Sequence, residues 1–155
     1  MVPGLLLGVG LGGFVDGIVA HQILQWHHML SSTDDYPMTT VAGLEVNTLW
    51  DGLFHAAAWV ATAVGVLLLW RTGRRADVAW SGRAVLGMAA AGWGLFNLVE
   101  GVVDHHLLGI HHVRYSGSRA LPWDLGFLAF GAALVALGWW LYRSADAPAP
   151  GHGEE

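Results

Sequence analysis

Four long apolar stretches run along the chain: LLLGVGLGGFVDGIVA (5–20), LFHAAAWVATAVGVLLLW (53–70), AVLGMAAAGWGLFNLVEGVV (84–103) and LGFLAFGAALVALGWWLY (125–142). Each approaches the roughly 20 residues that a helix needs to cross the hydrocarbon core of a bilayer. The pattern predicts an all-α integral membrane protein, a four-transmembrane-helix bundle over residues 1–143. Its helices are expected at about 4–30, 48–70, 82–113 and 122–143. The first stretch lacks the basic leader and small-residue cleavage site of a signal peptide, so it is read as a structural helix. The remaining stretch, SADAPAPGHGEE (144–155), is polar and rich in Pro and Gly, and is expected to be disordered, with His152 a solvated tail residue.

The polar residues that interrupt the apolar runs recur. DGIVAHQILQWHH (16–28) aligns with EGVVDHHLLGIHH (100–112) at a constant offset of 84, which pairs His21 with His105 and His28 with His112. The following helices echo one another more faintly, LWDGLF (49–54) against PWDLGF (122–127). The chain therefore reads as two helical hairpins. Helices one and three run the same way, so the hairpins are parallel repeats related by a pseudo-twofold axis along the membrane normal.

Composition agrees with the membrane reading. The chain is 54% hydrophobic and 12% charged, about half the charge of a typical soluble domain, with a mean hydropathy of +0.47. It contains no cysteine, which excludes thiolate metal sites, disulfides and thiol catalysis. All seven basic residues are arginines, and no basic patch suggests nucleic acid. Arg71, Arg74, Arg75 and Arg83 surround the second connection and Arg143 follows helix four, whereas Arg114 and Arg119 lie in the third connection and none lies in the first. That bias places both termini in the cytoplasm and the loops at 31–46 and 114–121 outside.

Ionisable side chains inside spans are rare and mark function by default. At 1.5 Å per residue, Asp16 lies near mid-helix and His27 roughly 16 Å further out on the same stripe, with Glu100 and His111 repeating the separation. Asn97 and Asp104 share that stripe on helix three. A neighbouring stripe carries His21, Gln25 and His28, matched by His105 and His112. Asp51 and His55, four residues apart, would form a clip on the first turns of helix two, with Asp124 opposite on helix four. The candidate metal ligands are therefore Asp16, His21, His27, His28, Asp51, His55, Glu100, Asp104, His105, His106, His111 and His112, all in the outer half of the bundle. Of these, Asp16, His21, His55, Glu100 and His105 are the leading five.

Imidazole with carboxylate suits transition metals, iron or copper first and zinc also, and facing helices of a bundle can hold two metals in this way. Met29 and Met38 lie near the outer end and could assist copper(I), with interfacial packing the alternative for Met29. A centre of this kind fits redox chemistry on oxygen or on a quinone-like lipophilic substrate, or the holding and passing of a metal ion. Two rival readings are a proton or metal-ion conduit through Asp16 and Glu100, and a haem held by His21 and His105. The conduit lacks a polar continuation in the inner half, and the surplus of carboxylates argues against haem alone. A purely structural hydrogen-bond network is the plain alternative. Thr48-x-x-Asp51 resembles a capping box, Asp124 suits a first helical turn, and His28 and His112 lie near the interface. Asn97 and Gln22 are expected to hydrogen-bond to the ligands. The tryptophans Trp26, Trp50, Trp123, Trp139 and Trp140 read as interfacial anchors, and Gly87, Gly94, Gly101 and Gly131 as close-packing positions.

The strings GFVDGIVAHQILQWHHML, WDGLFHAAAW, GWGLFNLVEGVVDHHLLGIHHVR and WDLGF resemble the small bacterial membrane proteins grouped as domain of unknown function family 2243, from about Gly10 to Tyr142. The resemblance implies a four-helix protein of the bacterial cytoplasmic membrane. It also implies a setting near respiratory-oxidase and copper-handling proteins, which would be partners beside the lipid bilayer and the metal ions. The run HHLLGIHH is similar to the histidine clusters of membrane desaturases in ligand chemistry only.

Overall fold

A computed structural model describes residues 1–77, 81–114 and 120–145, and these are helical with connecting turns. Helix α1 spans Val2–Val15 and continues without a break as a π-helix over Asp16–Ile23. Helix α2 spans Val41–Gly73. Helix α3 spans Gly82–Glu100 and continues as a π-helix over Gly101–Leu107. Helix α4 spans Ala120–Ala145. Among the described residues these four are long and apolar enough to cross a membrane. Arg119 and the tail from 146 onward, with His152, lie outside the described residues.

Burial is inverted relative to a water-soluble bundle. The largest fully buried side chains are His21, His27, His111, Asn47, Asn97, Asp51 and Asp124, while the outer surface is Leu, Val, Ile and Trp. A surface of that kind is stable against lipid and not against water. The half of the bundle away from the histidines is held by backbone proximity rather than by large side chains. A Cβ on Gly8 would lie 2.7 Å from the carbonyl carbon of Ala89, and one on Gly92 would lie 2.9 Å from that of Leu5. Only glycine allows α1 and α3 to cross that closely. These two helices run parallel as the central pair, with α2 antiparallel on α1 and α4 antiparallel on α3.

Three helix ends differ from the expected ones. Helix α2 begins at Val41 instead of near 48, because the Thr40 hydroxyl caps it by accepting from the Gly43 amide at 3.1 Å. Asp51 therefore lies in the third turn, and the capping-box reading of Thr48-x-x-Asp51 is replaced. Helices α1 and α3 stop at Ile23 and Leu107 instead of near 30 and 113. The π-winding ends with Leu24 N–H donating to Val19 O and Leu108 N–H to Val103 O, each at 2.8 Å. The chain then turns through left-handed residues, Gln25 at φ 49° and Gly109 at φ 60°. The short segments that follow, around His27 and His111, fold back over the end of the bundle.

Candidate metal centre

The reversal after each π-helix decides the geometry. On a continuous helix His27 would sit about 16 Å above Asp16. Instead the returning chain brings His27 Nε2 to 3.9 Å from Asp16 Oδ2. His111 Nε2 likewise lies 3.4 Å from Glu100 Oε1. The π-helices supply the other members. Long π-helical runs are rare and concentrate at functional sites, and here they carry Asp16 with His21, and His105 just after Glu100. His21 Nε2 lies 3.1 Å from Asp16 Oδ2.

Six side chains converge in this way: Asp16, His21 and His27 from one half, and Glu100, His105 and His111 from the other. Donor atoms of three overlapping trios lie within 4.8 Å of one another: His21, His27 and His111; Glu100, His105 and His111; Asp16, His21 and Glu100. The two rings nearest the middle, His27 and His111, stack with centroids 4.7 Å apart and planes within 5°.

Three of these rings are hydrogen-bonded at their outward edges, and the fourth, His105, only approaches a carboxylate. His21 Nδ1 meets Asp51 Oδ1 at 2.9 Å. His105 Nδ1 stands 3.5 Å from Asp124 Oδ1. His27 Nδ1 donates to Val113 O at 2.8 Å, and His111 Nδ1 donates to Met29 O at 3.2 Å. Asp51 also takes His28 Nδ1 at 2.5 Å and the Met29 amide at 3.0 Å. Asp124 takes His112 Nδ1 at 2.8 Å and the Val113 amide at 3.0 Å. Because a carbonyl can only accept, His27 and His111 must carry their protons on Nδ1, which leaves each neutral Nε2 with a lone pair facing inward. Burial keeps them neutral: it lowers His27 to about 4, and it holds His111 well below the usual imidazole value, helped by the neighbouring histidines.

Apart from the 3.1 Å approach between His21 Nε2 and Asp16 Oδ2, no hydrogen-bond partner among the described residues meets Asp16 Oδ2, Nε2 of His21, His27 and His111, either nitrogen of His105, or either oxygen of Glu100. Buried polar atoms are nearly always satisfied, and two carboxylates facing each other in a dry pocket cost several kcal/mol without a compensating charge. Cations with ligand bonds of about 2.0–2.2 Å, each held by a trio of these groups, would answer them. Three donors on one ion at such bond lengths stand about 3.3–3.8 Å apart, so separations at the 4.8 Å limit must close by about an ångström.

The remaining candidates sit elsewhere. His28 and His112 hold Asp51 and Asp124 at the outer rim, where their side chains are partly exposed. His106 is exposed and Asp104 is half-buried beside Glu100. His55 does not form the expected clip. Its Nδ1 donates to the backbone oxygen of Asp51 at 2.8 Å, while the Asp51 carboxylate turns to His21 and His28. Gln22 is exposed, against its expected role beside the ligands. Asp51 is an anchor for the histidines rather than an inward-facing group, and Asp124 has the same place, not a helix-capping one. The alignment of LWDGLF with PWDLGF already paired those two acids. Sequence reasoning missed Asn47, fully buried, whose Oδ1 accepts from the Leu30 amide and whose Nδ2 donates to Tyr36 O and Gly43 O. An asparagine within an otherwise apolar helix was the available signal.

Helices and cluster together define an all-helical membrane protein with buried His/carboxylate groups geometrically able to hold a metal ion. The chain belongs to the family described as predicted membrane protein (DUF2243), whose family model matches residues 3–145. No curated protein and no solved structure matches it.

Proposed function

We propose that the protein is a membrane metalloprotein whose centre holds two first-row transition ions, iron or copper, between Asp16, His21, His27, Glu100, His105 and His111. The carrying observation is the set of unpartnered inward atoms on six converging side chains, of which His21, His27 and His111 are hydrogen-bonded through their outward Nδ1 atoms. Holding a ligand imidazole by its second nitrogen is the usual support of a metal site. Two histidines and one carboxylate from each half make three protein ligands per ion, a donor set associated with iron(II) and with open coordination positions. The absence of any sulfur from Cys leaves nitrogen and oxygen as the donors.

The 84-residue correspondence supports two ions rather than one. Asp16 pairs with Glu100, His21 with His105, His27 with His111, and Gln25 with Gly109, and the anchoring carbonyls of Met29 and Val113 pair in the same register. We read this as two parallel hairpin repeats that each contribute half of the centre. By the arginine bias the centre faces the extracytoplasmic side of a bacterial cytoplasmic membrane, where redox chemistry or metal handling would serve respiratory proteins. A haem between His21 and His105 fits poorly, since the intervening His27 and His111 rings stack at 4.7 Å.

Protein purified without a chelating tag and analysed for metals should contain two equivalents of iron or copper per chain. His27→Ala and His111→Ala should each lower that content. Metal-free protein after growth in iron- and copper-supplemented medium, and no uptake on titration with either ion, would overturn the reading.

A further inference from the structure

Two grooves lead from the surrounding lipid to the centre, and they differ in chemistry. One opens between α2 and α3 and ends at Glu100 and Asp104, with Phe54, Phe96 and aliphatic side chains as walls. The other opens between α1 and α4 over α3, has a volume of ≈ 180 Å³, and ends at Asp16 and Asn97. Its walls are the rings of Trp26, Trp93, Phe127 and Phe130. At the 84-residue offset Trp93 corresponds to Val9 and Asn97 to Gly13, so the α2–α3 groove has neither the indole nor the amide. Asn97 is 2% exposed, and its Oδ1 is buried with no partner among the described residues.

We propose that the α1–α4 groove binds a lipid-dissolved molecule with a flat hydroxylated ring, of the hydroquinone class, as substrate of the metal centre; this rests on the reading of that centre. Three observations select this occupant. The Asp16 carboxylate at the groove's end accepts, and the Asn97 amide beside it, with its oxygen unpartnered among the described residues, both accepts and donates, so a ligand group that donates to the carboxylate and meets the amide fits there. A hydroxyl does this and an acyl chain does not. Four aromatic rings line the approach, which favours a π-face over a saturated chain. A volume of ≈ 180 Å³ exceeds the ~150 Å³ cavity that takes a benzene ring, leaving room for small substituents. Asp16 is shared between groove and centre, so a ring seated here reaches the carboxylate whose other contacts are His21 and His27. Asn97 is then a specificity-determining residue that touches substrate and no metal.

The test uses full-length protein in lipid nanodiscs, without oxygen, titrated with tetramethyl-1,4-hydroquinone and with its dimethyl ether, against empty nanodiscs. Saturable binding of the hydroquinone, weakened at least tenfold in the ether, is expected. Asn97→Leu should weaken hydroquinone binding at least tenfold with the metal content unchanged. Phe130→Ala, at a half-exposed wall position, should weaken it several-fold with the metal content unchanged. Equal binding of hydroquinone and ether would make the groove a lipid-filled seam and overturn the proposal. So would the absence of saturable binding, or parental affinity in both variants. Metal-loaded protein that fails to bind sinks this inference alone, whereas metal-free protein sinks the reading of the centre.

Discussion

Replacing Asp51 by Asn keeps the side chain's shape and removes its charge, so packing is unchanged and the anchoring of His21 is what is tested. Asp51 Oδ1 receives His21 Nδ1 at 2.9 Å and the Met29 amide at 3.0 Å, and Oδ2 receives His28 Nδ1 at 2.5 Å. An amide oxygen can still take the first two, but its NH2 faces a donor on His28. Hydrogen bonds to a charged group are worth roughly 1.5–3 kcal/mol against 0.5–1.5 for neutral ones. Losing charge assistance on the two inward contacts therefore costs about 2 kcal/mol of stability. Loss of an outer partner of a ligand histidine lowers metal affinity about 10–100-fold, or about 1.4–2.7 kcal/mol. Asp124→Asn is the internal control. Its carboxylate is 3.5 Å from His105 Nδ1, beyond a good hydrogen bond, so less of the ligand's orientation depends on it. The expected order is a loss of at least tenfold for Asp51→Asn and under tenfold for Asp124→Asn. Competition against a chelator series, with bound metal measured by elemental analysis, reads both. Parental affinity in Asp51→Asn, or a larger loss in Asp124→Asn, would refute the reasoning.

His55→Ala and His106→Ala should retain the parental metal content, since His55 bonds to the helix backbone and His106 is exposed; loss of metal in either, seen by elemental analysis, would place a ligand outside the six. Gly87→Ala would set a Cβ 2.7 Å from the backbone oxygen of Gly138 and 2.8 Å from Tyr142 N. It should destabilise the α3–α4 contact by about 1–3 kcal/mol, whereas Gly126→Ala, with nothing within 4 Å, should stabilise α4 by up to about 1 kcal/mol; thermal unfolding in detergent compares them. Gln25→Gly should stabilise by about 1 kcal/mol, because residue 25 sits at φ 49°. Gly109→Ala at the corresponding turn should destabilise by a similar amount in the same assay.

Much of this protein was legible before any coordinates. Four apolar stretches are long enough to span hydrocarbon, and in lipid a spanning segment has little alternative to a helix, so number and type of elements followed directly. Asp16, His21, Glu100 and His105 stood out because buried charge is rare enough in spans to be conspicuous. The 84-residue echo and the pairing of Asp51 with Asp124 were also present in the letters.

Which of twelve candidates meet was a different matter. A straight-helix reading placed His27 and His111 far above the acids they approach. It assumed 3.6 residues per turn through a segment that winds as a π-helix, and it carried the helix past Gln25 and Gly109, where the backbone turns left-handed. The same reading gave His55 a carboxylate partner that its own helix backbone supplies instead. Local rules see residues a turn apart. The contacts between His27 and Val113, and between His111 and Met29, join positions more than eighty residues apart. They exist only once α1 and α3 have packed on their glycines and both chain reversals have closed over the same end of the bundle.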